Sequence, residues 1–235
     1  MQAVAGRRDG GGRYGLLLLF LIGTYLFSAF NGAHLTTEVQ IPLFAGVLLI
    51  AMRSSSLPGR WPLVISAIAV TGSAGAFAAA VSGTPAGQGA AELWKALVLL
   101  MTAVVVIRRV LAKPAVTIES IYGALSAYLI VGLMFAASYA AVALLENGSD
   151  FFANNQPANT QTLQYFSFTT LTTLGYGDFT AANNGGRSIA VLEAIAGQVF
   201  LATLVARLVS AYQRPAPRTR REGAGDPGGD DEDRG

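Results

Sequence analysis

The chain has 235 residues, of which 52% are apolar and only 13% charged, whereas a soluble domain is about a quarter charged. It contains no cysteine, which excludes disulfides, thiolate metal sites and cysteine catalysis. A single histidine, His34, leaves no multi-histidine metal cluster and no choice of base for a Ser-His-Asp triad. The formal net charge is only +2, so its distribution matters more than its total.

A bilayer core takes about 20 mostly apolar residues in helical form. Six stretches meet or approach that length: Tyr14–Ala33, Leu35–Met52, Trp61–Val81, Leu93–Val110, Ile118–Leu145 and Ile189–Val209. The first follows Arg7, Arg8 and Arg13 and could be a signal peptide, but its apolar run is long and no small-residue cleavage site follows. The second is somewhat short and contains Pro42. The third is rich in Ala, Gly and Ser, which suits close helix contact in lipid. Buried helices of a soluble protein are the other reading, and 235 residues leave nothing to cover six of them.

Placing both ends on one side of the membrane gathers fourteen of the sixteen basic residues there, all but Lys95 and Arg187. These two fall at the opposite ends of their expected helices. Both termini therefore face the cytoplasm. Residues 1–13 and 213–235 read as disordered tails, too polar to bury a core. The basic cluster Arg214–Arg221 reads as stop-transfer charge or as a contact for anionic lipid headgroups.

Between the fifth and sixth spans, Thr160–Thr172 forms a 13-residue run. As a helix it extends roughly 20 Å and crosses only part of the bilayer. It leads into Thr173-Leu174-Gly175-Tyr176-Gly177-Asp178. A half-helix followed by extended backbone at membrane depth is tolerated only against protein or water, so the segment reads as a re-entrant pore loop. Carbonyls of consecutive residues align only if the backbone alternates between right- and left-handed conformations. Gly175 and Gly177 permit that alternation. Carbonyls of Thr173, Leu174, Gly175 and Tyr176, with the Thr173 hydroxyl, can then replace the hydration shell of a cation. One chain supplies a quarter of each oxygen ring, so four chains are needed.

The stretch Thr172-Thr173-Leu174-Gly175-Tyr176-Gly177-Asp178 resembles the signature of potassium channels, with leucine where valine is commoner. Gly185-Gly186-Arg187 and Ala194-Ile195-Ala196-Gly197 are similar to the outer loop and inner helix of voltage-gated potassium channels. The resemblance is specific over about 118–212 and only topological over 14–113. It implies an all-α membrane protein: a sensor-like four-helix domain (14–113), then a pore domain (114–212), assembled as a homotetramer. It implies K+ ions held at Thr173, Leu174, Gly175, Tyr176 and Gly177, with Tyr165, Phe166, Thr172 and Asp178 supporting the filter. Tyr165 stands where the family often has a tryptophan bonded to the filter aspartate, and Phe166 would lie beside it in an aromatic cuff. Gly197, twenty residues after Gly177, falls on the family's hinge position. It can also be a small residue for helix packing.

Three positions in the last span stay open. Glu193 could bond to the back of the pore helix or reach the interface, the latter being the cheaper arrangement. Gln198 could face a cavity or a neighbouring helix. Arg207 is expected near the cytoplasmic mouth. The Pro-x-Pro bend of many voltage-gated relatives is absent, which leaves the place of an intracellular gate open.

A voltage sensor needs charges that cross the field. The fourth span has Lys95 and then only Arg108 and Arg109, a gap of 13 residues. Weak or absent voltage dependence is expected, and the first four helices would be a charge-depleted shell or a lipid-contact module. A potassium-selective channel is the leading expectation. A potassium transporter subunit and a non-conducting, channel-like scaffold are the alternatives. No paired carboxylates, phosphate loop or nucleophile–base pair supports an enzyme, and no nucleic-acid partner or organic cofactor is called for. The 23 residues after Tyr212 are too few for a cytosolic ligand-binding domain. Opening is then expected to respond to pH, lipid, tension, a separate partner or the filter itself. The setting reads as a prokaryotic plasma membrane, where the sequon Asn147-Gly148-Ser149 would go unused.

Overall fold

The computed structural model describes residues 13–31, 37–53, 61–112, 116–146 and 151–212. His34, Arg60, Lys113, the sequon at 147–149, and the tails with the Arg214–Arg221 cluster lie outside the described residues. Seven helices follow in order: α1 (Arg13–Asn31), α2 (Thr37–Arg53), α3 (Trp61–Val81), α4 (Pro85–Ala112), α5 (Ile118–Leu145), α6 (Thr160–Leu171) and α7 (Asn184–Tyr212). Among the described residues there is no strand, only an isolated bridge between Phe152 and Ala181. Four helices among the described residues are long and apolar enough to cross a membrane: Leu63–Val81, Pro85–Ala112, Ile118–Leu145 and Asn184–Ser210. The apolar parts of α1 and α2 are shorter, Tyr14–Ser28 and Gln40–Leu49.

Helix ends are set by capping. Thr117 caps α5, its hydroxyl accepting from Ser120 N–H at 3.2 Å and the Ser120 hydroxyl accepting in return from Thr117 N–H. Two helices begin earlier than hydropathy suggests. α4 starts at Pro85 rather than Leu93, because Thr84 accepts from Gly87 N–H at 3.1 Å and proline suits the first helical position. α7 starts at Asn184 rather than Ile189, with Asn183 Oδ1 accepting from Gly186 N–H at 2.6 Å. These first turns are too polar to register as membrane span. The earlier start of α4 corrects the position of Lys95, which lies about three turns inside the helix and not at its end.

One buried cluster draws on the first five helices. Leu21 of α1, Phe44 and Leu48 of α2, and Leu99 and Val106 of α4 pack with Ile130 and Leu133 of α5. α4 thus joins α2 and α3 to α5, while α1 packs directly on α5. Small residues let helices approach: a Cβ on Gly72 of α3 would stand 2.0 Å from the Trp94 ring of α4, whose Nε1–H donates to Ser73 Oγ at 3.1 Å. Where the start of α1 meets the end of α4, Arg109 lies over the Tyr14 ring at 5.6 Å. Arg207 Nη2 donates there to Leu111 O, in the last turn of α4, where unpaired carbonyls favour a cation.

A second cluster, Tyr139, Phe151, Phe152, Leu163, Phe166 and Ala181, wraps α6 on the side of α5. Gly132 of α5 seats Phe168 of α6, since a Cβ there would fall 2.5 Å from that ring. Gly132→Val is expected to destabilise the fold by about 1–3 kcal/mol through overpacking. Thermal unfolding of the purified protein in detergent checks it, and an unchanged midpoint would mean that α6 is not held at this contact.

Candidate functional site

The site is built on the short helix α6. Asn159 caps its start in a capping box, accepting from Thr162 N–H while Thr162 Oγ1 accepts from Asn159 N–H, both at 3.0 Å. At its other end Thr172 Oγ1 donates to Phe168 O at 2.7 Å, and Thr172 is the C-cap. The chain then folds back on the helix. Thr173 N–H donates to Thr170 O at 2.9 Å, and Leu174 and Gly175 N–H both donate to Thr169 O, at 2.9 and 3.1 Å.

In a trans peptide the carbonyl points opposite to the N–H that follows it, and the described residues contain no cis bond. Turning three successive N–H groups back onto α6 therefore aims the carbonyls of Thr172, Thr173 and Leu174 away from it. Positive φ recurs at every second position, 57° at Thr173, 51° at Gly175 and 80° at Gly177. A Cβ on either glycine would meet nothing within 4 Å, so the requirement there is conformational rather than spatial. Thr173 adopts the left-handed region as a β-branched residue, at a cost of about 1–2 kcal/mol. Its hydroxyl is tied to the last helix, accepting from Gln198 Nε2 at 3.1 Å. Thr172–Asp178 are all exposed in the single chain, Leu174 at 55% and Tyr176 at 67%.

The expected supporting residues fall into two groups. The Tyr165 ring lies parallel to Tyr176 (centroids 6.5 Å apart, planes at 8°) and edge-on to Phe179 at 5.5 Å. Its phenol interacts with the Asp178 carboxylate. The Asp178 backbone carbonyl accepts from Asn154 Nδ2 at 2.6 Å. Phe166 belongs elsewhere, packed on Tyr139 and Phe152 at 5.0 and 5.6 Å. The loops before α6 and after the Gly-Tyr-Gly stretch close on each other, with Ala182 N–H to Phe151 O at 2.8 Å and Ala153 N–H to Thr180 O at 2.9 Å.

Glu193 does not reach an interface. It is fully buried and accepts from Tyr139 Oη of α5 at 2.6 Å and from Ser167 Oγ of α6 at 2.5 Å. Ser167 Oγ also lies 2.7 Å from Gly132 O. One carboxyl thus joins three helices behind the filter-like segment. Sequence offered a weak signal for it, the hydroxyl of Tyr139 inside a largely apolar run. Gly197 lies where α7 meets the end of α6, and a Cβ there would stand 2.1 Å from Leu171 O. That carbonyl also accepts from Tyr128 Oη at 3.1 Å.

This geometry, a half-length helix ending in backbone oxygens and backed by two long helices, coincides with the stretch that comparison singles out. Residues 124–214 match the family model described as an ion channel. No curated protein and no solved structure matches the chain. The matched stretch takes in nearly all of α5, then α6, the Gly-Tyr-Gly stretch and α7. Helices α1–α4 lie before it. The match, with four long apolar helices among the described residues, supports an ion channel in a membrane.

Replacing Glu193 with leucine would leave the buried Tyr139 hydroxyl without its acceptor, a loss of about 1–3 kcal/mol. Glu193→Gln retains an acceptor oxygen and is expected to lose less. Thermal midpoints in detergent should rank wild type, E193Q, then E193L. Equal midpoints for all three would show that the three-helix contact adds nothing to stability.

Proposed function

We propose that the chain is one subunit of a homotetrameric, potassium-selective channel that passes K+ down its electrochemical gradient. The observation that carries this is the backbone of Thr173–Gly177, with positive φ at alternate residues and its first N–H groups folded back onto α6. Such a strand offers successive carbonyl oxygens in one direction, the arrangement that can stand in for the hydration shell of a cation. The C-terminal end of α6 adds the negative end of a helix dipole at the start of that row. Irregular backbone of this kind cannot face hydrocarbon. Three further copies around a central axis would supply the remaining oxygens and cover Leu174, Tyr176 and the exposed apolar face of α7, which includes Val191, Ile195 and Val199.

In this reading Thr173, Leu174, Gly175, Tyr176 and Gly177 form the K+ sites, and six helices span a prokaryotic plasma membrane with both termini cytoplasmic. Gly197 acts as the close-packing point of the inner helix against α6, and bending there would have to part it from Leu171. The first four helices form a sensor-like unit without a working sensor. Lys95 sits 2.6 Å from Glu92 on the same helix, so even the charge deep in α4 is neutralised.

Potassium flux from proteoliposomes of the purified protein tests the reading. Efflux of K+ that barium blocks and that Na+ does not replace is expected. Absence of flux would favour a scaffold, and flux coupled to a second solute a transporter. The conductance should vary little across about 100 mV, since few charges cross the field. A steep voltage dependence would refute that part. Tyr165→Phe removes the hydroxyl that interacts with Asp178 and leaves the ring stack. It is expected to lower K+/Na+ selectivity or speed inactivation, and unchanged currents would remove Tyr165 from filter support.

A further inference from the structure

A small cavity lies where α2, α4, α5 and α6 meet. It has a volume of about 20 Å³, and its walls include Gln40, Glu92, Lys95 and Gln164. All four of these polar side chains are more than nine-tenths buried. Lys95 Nζ donates to Gln40 Oε1 and to Glu92 Oε1, each at 2.8 Å. Glu92 Oε2 also lies 2.6 Å from Nζ, so both carboxylate oxygens face one side of an ammonium that carries three N–H donors. Across the cavity, Gln164 Oε1 of α6 is buried with no donor among the described residues. A buried amide oxygen left in that condition loses its hydration without compensation.

The dimensions and the chemistry agree on one occupant. A water needs about 10–15 Å³ and two to four polar partners. The cavity provides that volume, a donor in Lys95 and an acceptor in Gln164. The ammonium opposes a metal cation, an apolar guest would leave Gln164 unsatisfied, and the volume admits nothing much larger than a single water. We propose that one ordered water accepts from Lys95 Nζ and donates to Gln164 Oε1, so that α4 holds the pore helix through a hydrated polar junction. Gln164 lies three residues before Ser167 and five before Thr169, whose carbonyl receives the N–H groups of Leu174 and Gly175. The junction gives the first four helices a direct purchase on the filter that requires no gating charge.

The water itself stands apart from the channel reading, while its effect on conduction rests on that reading. A structure of the wild-type protein in nanodiscs, at a resolution that reveals ordered water, should contain one water within hydrogen-bond distance of both Lys95 Nζ and the Gln164 amide. A dry cavity, or a direct Lys95–Gln164 bond, overturns the site. Gln164→Met keeps the volume of the side chain, removes the amide and leaves the Lys95–Glu92–Gln40 contacts in place. It is expected to lose the water and to change K+ flux from proteoliposomes severalfold, as mutations along coupled networks do. Loss of the water with unchanged flux overturns the coupling. Wild-type protein that holds the water but passes no K+ upholds the site and defeats the channel reading instead. The wild-type measurement does not depend on the folding of the variant.

Discussion

The rest of the structure depends on one constraint: the backbone that leaves α6 at Thr172 must have its N–H groups satisfied. Thr169 and Thr170 meet that need for residues 173–175, with two N–H groups sharing the Thr169 carbonyl. Only a helix that stops partway can offer free terminal carbonyls at that level. The length of α6, the turn at Thr172 and the direction of the following carbonyls therefore come as one package. The positive φ at Thr173 is the strained element in it, and the neighbouring contacts from Thr170 and Gln198 hold it in place.

A short helix with few apolar residues cannot fix its own position in a membrane, so α6 is held by specific contacts along its length. Gly132 seats Phe168, Glu193 binds Ser167 and Tyr139, and Gly197 and Tyr128 both meet the Leu171 carbonyl. In lipid, where burial does not drive helices together, close approach at small residues and buried hydrogen bonds are the available forces. Both occur here on the face of α6 turned toward α5 and α7. The outer loops add a third restraint by pairing Phe151–Ala153 with Thr180–Ala182.

The electrostatics of α4 follow the same economy. A lysine deep in an apolar helix is tolerated because Glu92 stands one turn away and Gln40 accepts from the other side. The pair leaves little net charge for a field to act on. It also places a strong donor beside α6, which is what a polar contact between the two halves of the chain requires.

Much of this was legible in the sequence, because hydropathy and glycine spacing are local properties. The ends of α3 and α5 and nearly all of α6 follow from runs of apolar residues and their breaks, and the glycines at 175 and 177 announced the alternating backbone. Capped polar first turns hid the true starts of α4 and α7, since a backbone hydrogen bond accepted by Thr84 or Asn183 has no hydropathy signature. What only the tertiary structure decided are contacts between residues far apart in the chain. These are the burial of Glu193 between Tyr139 and Ser167, the separation of Phe166 from Tyr165, and the meeting of Gln198 with Thr173. Sequence determines which groups a helix carries; their partners depend on the rotation and crossing of helices that only packing sets.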